Sequence, residues 1–171
     1  MRVLAVGAGG VGTSAALIAQ RRAFFEHWVC ADYDLARAEA IVTRVQDARF
    51  VAAQVDASRE EAIALLAKEH GITHVLNVVD PRFVMSIFNG AYAAGANYLD
   101  TAMSLSRPHP TEPYREVGVK LGDEQFEYSA QWEAADRLAL CGIGVEPGLA
   151  DVFARYAQDH LFSEIEEVGV R

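Results

Sequence analysis

The sequence predicts an α/β protein built on a doubly wound parallel sheet. Three observations lead there. Short apolar runs rich in β-formers alternate with segments whose apolar residues recur at helical spacing. Helices of that length between strands argue for βαβ units, which place the strands parallel and the crossovers right-handed. A glycine turn, Gly7-x-Gly9-x-x-Gly12, joins the first apolar run to the first helical segment, which makes the sheet Rossmann-like.

The elements follow in order. Arg2–Val6 is short and apolar and reads as a buried strand. Val11, Ala15 and Ile18 then recur at helical spacing. His27–Asp32 is the second strand, and Asp34 is placed to cap a helix whose inner face is Ala38, Ile41, Val42 and Val45. Residues 50–55 are the third strand. Ser58 with Glu61 forms a capping box ahead of a helix carrying Ala62, Leu65 and Leu66. Residues 74–79 are the fourth strand. Asp80-Pro81 reads as an N-cap followed by proline at the first helical position, and that helix carries Val84, Ile87, Phe88 and Ala91. Gly95 stands where its C-terminal cap belongs, and Asn97–Asp100 is a short fifth strand.

Residues 101–123 break the rhythm with Pro108, Pro110 and Pro113, as a functional or mobile loop does. A helix over 124–137 is expected to bury Phe126, Ala130, Ala134 and Leu138, and residues 138–143 are the sixth strand. Pro147-Gly148 opens a last helix with Leu149, Val152, Phe153, Tyr156 and Leu161 at helical spacing. Residues 164–170, EIEEVGV, alternate like a strand that needs a partner sheet, so the chain is expected to lead into a second domain.

Charge narrows the partners. With 15 basic against 24 acidic residues the net charge is −9, which repels nucleic acid and anionic lipid, so no nucleic acid and no membrane are expected. A dinucleotide is anionic too, but backbone N–H groups at a helix start can hold it. Cys30 and Cys141 lie in apolar runs without C-x-x-C spacing and read as small hydrophobes, so no metal site is expected. The lack of a disulfide framework suits a cytoplasmic setting. The first strand begins at Arg2 and the apolar runs are short, which leaves no signal peptide or membrane span to be read.

The glycine turn carries the chemistry. Gly7 permits the tight turn, Gly9 lets the backbone approach a pyrophosphate, Gly12 lets the helix pack on the strand, and Gly10 adds room. The turn follows a strand, opens a helix, and is followed 20 residues after Gly12 by Asp32, placed to accept from the adenosine ribose hydroxyls. A carboxylate there repels a 2′-phosphate, so NAD is expected over NADP. Arg37, five positions on, either faces solvent, the preferred reading, or swings back to a 2′-phosphate. Asp56, followed by Ala57, either accepts from the adenine amino group or serves a turn before Ser58.

Ligands of such sheets lie at the carboxyl ends of the strands, so the turns at Val79-Asp80-Pro81, Thr101 to Ser104 and Gly144 to Gly148 bear on the nicotinamide half. Asp80 and Pro147 are also explained as helix starts, and Glu146 either lines the site or serves the helix that follows. No Tyr-x-x-x-Lys pair and no G-x-S-x-G occur, the histidines are scattered, and no residue is assigned as general acid or base.

The stretches VGAGGVG, VLNVVDPRFVMSIFNGAYAAGANYLDTAMSL, GIGVEPGLADVFARYAQDHLF and EIEEVGVR together resemble the saccharopine dehydrogenase family, especially its bacterial branch near carboxynorspermidine dehydrogenase. YLDTAMSL and the G-x-G-V-E-P-G-L turn are the specific signals. The resemblance implies the N-terminal part of a two-domain NAD(P)-dependent oxidoreductase acting on C–N bonds of amino acids or carboxylated polyamines. Residues 1–150 would be the dinucleotide-binding domain, and 151–171 a helix and first strand entering a substrate and homodimerisation domain. Carried over by position, Gly7, Gly9, Gly10, Val11 and Gly12 would bind pyrophosphate, Asp32 the adenosine ribose, Asp56 and Ala57 the adenine, and Val79 and Asp80 the middle of the cofactor. Thr101 would lie near the nicotinamide. This chain has Ala31-Asp32 where that branch commonly carries a Ser-Arg-like pair, and Val79-Asp80-Pro81 where it tends to Gly-Pro-Pro. The competing reading is a non-catalytic NAD-sensing module.

Overall fold

The computed structural model describes residues 1–169. Six strands form one sheet: β1 Arg2–Val6, β2 His27–Asp32, β3 Phe50–Gln54, β4 His74–Asn77, β5 Asn97–Asp100 and β6 Ala139–Leu140. The order is β3-β2-β1-β4-β5-β6 and every pairing is parallel. The expected doubly wound sheet is therefore present, with the strand order reversing between β1 and β4, where a crevice opens at the carboxyl ends.

Both faces of the sheet are covered, which is why its central strands read as near-continuous apolar runs. Along each strand alternate side chains take opposite faces. Val3, Ala5, Trp28 and Cys30 meet Ala16 and Ala19 of helix α1 (Gly10–Ala19) and Ala38, Ile41 and Val45 of helix α2 (Leu35–Val45). Leu4, Val6, Val29 and Val75 face the other way, against Ile63 and Ala67 of helix α3 (Glu60–Glu69) and Ile87, Phe88 and Ala91 of helix α4 (Val84–Ala93). On that second face Phe88 packs edge-on to Tyr98 at 5.2 Å and lies 4.8 Å from the Trp132 ring.

Three cap expectations hold. Asp34 caps α2 by accepting from the Ala36 N–H at 3.0 Å. Asp80 caps a single 3-10 turn, Pro81–Phe83, that leads into α4, and Gly95 follows α4 at φ +70°.

Several expectations are corrected. The inner face of α1 is Gly12, Ala16 and Ala19, while Val11 and Ile18 are 56% and 60% exposed. Small residues let the helix lie close to β1, Leu17 packs partly beside them, and Val11 and Ile18 are the apolar side chains turned outward. In α3 the buried positions are Ile63, Ala64 and Ala67, and Leu65 is 68% exposed. The expected Ser58–Glu61 capping box does not form. Arg59 is the N-cap residue without a side-chain cap, because the Ser58 hydroxyl instead donates to Asp56 Oδ1 at 2.6 Å.

Strands β3, β4 and β6 stop short of the expected bounds, β6 after only two residues. The helix over 124–137 is divided into α5 (Asp123–Phe126) and α6 (Ser129–Ala134). The Ser129 hydroxyl donates to the Phe126 carbonyl at 2.7 Å, a local bond that competes with the helical ladder. Gln125 and Trp132, not the expected Phe126, Ala130, Ala134 and Leu138, are the buried residues of this region.

The last helix, α7 (Leu149–His160), forms as expected, with its apolar residues Leu149, Val152, Phe153 and Tyr156 exposed. Residues 164–169 form no strand, and Val170 and Arg171 lie outside the described residues. Among the described residues no helix is long and apolar enough to cross a membrane.

Candidate dinucleotide site

The glycine turn is built by close backbone contacts. Gly7, at φ +112°, donates its N–H to the Ala31 carbonyl at 2.7 Å, stitching the end of β1 to β2. A Cβ placed on Gly12 would lie 1.9 Å from the Gly7 carbonyl oxygen. One on Gly7 would lie 2.7 Å from Val79 Cγ1. These two glycines are thus required by the protein's own packing.

Gly9 and Gly10 are different. A Cβ on either meets no protein atom within 4 Å. They stand at the start of α1, where no side chain caps the helix and no acidic residue occupies the first turn. The first N–H groups of a helix have no intrahelical acceptor, and the helix dipole makes this end positive. The turn therefore offers donors and open space together, which is the cradle a pyrophosphate needs.

Asp32 ties the next strand to that turn. Its Oδ2 accepts from the Ala8 N–H at 2.8 Å, and its Oδ1 from the Asp34 N–H at 3.0 Å. The carboxylate lines a cleft of about 340 Å³ that also contains Gly7, Tyr33, Asp56, Val79 and Phe83. Asp56 sits in a turn, with Oδ1 accepting from both the N–H and the hydroxyl of Ser58. Those bonds hold its carboxyl below the usual carboxylate range. The structure thus brings Gly7, Asp32, Asp56, Ala57 and Val79 into one cleft. Tyr33 and Phe83, two aromatic walls of it, were not foreseen; their positions just after β2 and in the turn after β4 were the available signal.

Other expected residues lie elsewhere. Asp80 is engaged by Arg82, whose guanidinium meets both carboxylate oxygens at 2.9 and 3.2 Å and holds the acid well ionised. Gly9 lines a second cleft of about 300 Å³, shared with Thr13, Arg37 and Arg44. The Arg37 guanidinium makes an exposed contact with Asp34, at 3.9 Å. The Thr101 carbonyl lies against the Gly144 backbone, where a Cβ on Gly144 would be 2.4 Å from it. Glu146 lines neither cleft.

A buried polar network joins the carboxyl ends of β4, β5 and β6. Asp100, 1% exposed, accepts from the Gly142 N–H at 2.6 Å, Gln125 Nε2 at 2.8 Å and the Tyr98 hydroxyl at 2.9 Å. Tyr98 in turn accepts from Asn77 Nδ2, and Asn77 Oδ1 accepts from the Val79 N–H. Burial pushes the Asp100 carboxyl up from its ordinary value, against the pull of the three donated bonds. Burial also pushes the neighbouring Cys141 thiol up to about 12, so it is not a reactive thiolate. Sequence reasoning passed over this network; a polar residue closing each of two adjacent buried strands, Asn77 and Asp100, was its visible trace.

A family model described as the saccharopine dehydrogenase NADP-binding domain matches residues 3–140. Over 99% of its length the chain is 30% identical to carboxynorspermidine synthase of Vibrio alginolyticus, covering 42% of that protein. It is 29% identical to carboxyaminopropylagmatine dehydrogenase of Synechocystis, again over 99% of this chain and 40% of the relative. The chain thus spans about two-fifths of the length of these curated relatives. Among solved structures, apo saccharopine dehydrogenase (L-Glu forming) from Saccharomyces cerevisiae superimposes with a TM-score of 0.69 at 16% identity. That match covers 94% of this chain and 31% of the yeast chain, a likeness of fold.

Proposed function

Because the chain belongs to the saccharopine dehydrogenase NADP-binding-domain family, we propose that its cleft is the cofactor site of an oxidoreductase acting on C–N bonds. The cofactor would supply hydride exchange with the carbon of an imine or secondary amine. The residues described here bind and orient. Gly9, Gly10, Val11 and Gly12 present backbone N–H groups to the pyrophosphate, Asp32 accepts from the adenosine ribose, and Asp56 and Ala57 flank the adenine. Val79, Asp80 and Thr101 border the path toward the nicotinamide. The observation that carries this reading is the shared cleft of Gly7, Asp32 and Asp56 beside an uncapped helix start.

Carboxynorspermidine synthase and carboxyaminopropylagmatine dehydrogenase, the two relatives, are named for carboxylated polyamines, which supports a substrate of that class. Residues 1–150 would form the cofactor domain, and residues 151–171 would lead toward a domain supplying substrate contacts and a homodimer interface. The exposed apolar side of α7 is in keeping with such a neighbour.

NAD is the preferred cofactor in this reading, since both Asp32 oxygens are fixed by backbone donors at the ribose end. A specific observation favours the 2′-phosphorylated cofactor instead: Arg37 and Arg44 share the cleft beside Gly9. Titrating NADH and NADPH into the chain, followed by cofactor fluorescence, tests the proposal. Saturable binding, tighter for NADH, is expected. Absence of binding at millimolar levels contradicts the cofactor reading, and tighter NADPH binding that is lost in Arg37→Ala/Arg44→Ala selects the second.

A further inference from the structure

We propose that Asp100 is a positioning residue: its buried carboxylate holds the three backbone turns that form the nicotinamide half of the cleft. The inference rests on the reading above, in which the adenosine half lies over Asp32.

Every side-chain bond at Asp100 is donated to it. The Gly142 N–H reaches Oδ1, while Gln125 Nε2 and the Tyr98 hydroxyl reach Oδ2. Neither side-chain donor is free to reverse its role. Gln125 Oε1 is committed to the Ser104 N–H at 2.8 Å, and the Tyr98 oxygen already accepts from Asn77 at 2.9 Å. The direction of the whole network is thus set by one acceptor-only group. A buried carboxylate without a charged partner is a poor way to gain stability, since well-packed apolar replacements often serve as well. What it does supply is a fixed geometry for groups outside the sheet ladder.

Those groups lie together at the carboxyl ends of β4, β5 and β6. Through Tyr98 and Asn77 the network reaches the Val79 N–H, and Val79 lines the 340 Å³ cleft. Through Gln125 it fixes Ser104, at the end of the turn that starts at Thr101. Through Gly142, and through the Asp100 carbonyl accepting from the Ile143 N–H at 2.8 Å, it sets the turn that brings Gly144 against the Thr101 carbonyl. Asp32, bonded to Ala8 and Asp34, shares none of these bonds.

Asp100→Asn tests this with four ligands titrated by calorimetry: NADH against ADP-ribose, and NADPH against 2′-phospho-ADP-ribose. An asparagine amide must face either the Gly142 N–H or the Gln125 amide, so one turn is released. The wild-type chain should bind the complete dinucleotide about fivefold or more tighter than its ADP-ribose counterpart, and Asp100→Asn should reduce that ratio to about one. The ADP-ribose affinity itself should change by less than about twofold. Should Asp100→Asn fail to fold, Tyr98→Phe carries the test: it keeps the ring against Phe88, removes the hydroxyl that donates to Asp100 and accepts from Asn77, and should lower the ratio part of the way. An unchanged ratio in a folded variant, or an equal loss for dinucleotide and ADP-ribose, overturns the positioning role. If the wild-type chain binds none of the four ligands, the cofactor reading itself falls and this inference with it.

Discussion

Asp32 Oδ2 and the Ala8 N–H are joined by a 2.8 Å hydrogen bond across 24 residues of sequence. One acidic side chain at the end of β2 thereby braces the glycine turn at the end of β1. Asp32→Ala removes the acceptor for Ala8 and for Asp34 at once. Hydrogen bonds to charged groups are worth more than neutral ones, but this site is partly open to water, so a loss of about 1–2 kcal/mol is expected. Urea denaturation followed by circular dichroism measures it, and Asp32→Asn should lose less.

The glycines divide into two classes with opposite signatures. Gly12→Ala drives a Cβ to 1.9 Å from the Gly7 carbonyl, where both partners are backbone. Overpacking of that kind costs about 2–3 kcal/mol, which lowers the Tm by roughly 5–10 °C in a chain of this size. Gly9→Ala meets nothing within 4 Å and should leave the Tm unchanged. It fills the space left at the helix start, so it should weaken dinucleotide binding about tenfold. Differential scanning fluorimetry and a binding titration on both variants separate the classes.

Stability should fall as the solution is acidified from pH 7.5 to pH 5.5. Burial, then Arg2, then His70 lower the His27 pKa from its ordinary 6.5, against Glu26. The ring stacks on His70 with His27 Nε2 and His70 Nδ1 3.2 Å apart. The unfolded chain takes up a proton near pH 6.5 while the folded state resists it, so the stabilisation is present above that pH and is lost as pH falls from there through the lower folded-state pKa. His74 is shifted in the same direction, chiefly by burial. The urea midpoint should drop over this range, and His27→Gln should flatten the slope.

Phe88 joins the sheet to the region after β5. It is 1% exposed and its ring meets those of Tyr98, Tyr128 and Trp132. Phe88→Ala should cost about 3–5 kcal/mol and should quench or shift the Trp132 fluorescence in the folded state.

The sheet, its direction and the meeting of the glycine turn with Asp32 were legible because each is written locally. Runs such as Val3 to Val6, short, rich in β-formers and closed by a glycine, read as buried strands, and Asp32 follows the glycine spacing at the distance such a turn calls for. Helix faces were less legible. Helix α1 packs through Gly12, Ala16 and Ala19 with Leu17 beside them, so Val11 and Ile18, apolar and helically spaced, mark the wrong side. The capping box at Ser58 failed because Asp56, two residues earlier, captured the hydroxyl. The Asp100 network was only faintly legible, through the polar residues closing β4 and β5, because it joins Asn77, Tyr98, Gln125 and Gly142 from four separated segments.

The most direct test of Asp32 as the ribose partner is the ratio of NADPH to NADH dissociation constants in the wild-type chain and in Asp32→Ala, measured well below the Tm of both. The wild-type chain should favour NADH by about tenfold, and Asp32→Ala should weaken NADH and bring the ratio near one. An unchanged ratio in Asp32→Ala would contradict the assignment of Asp32 to the adenosine ribose.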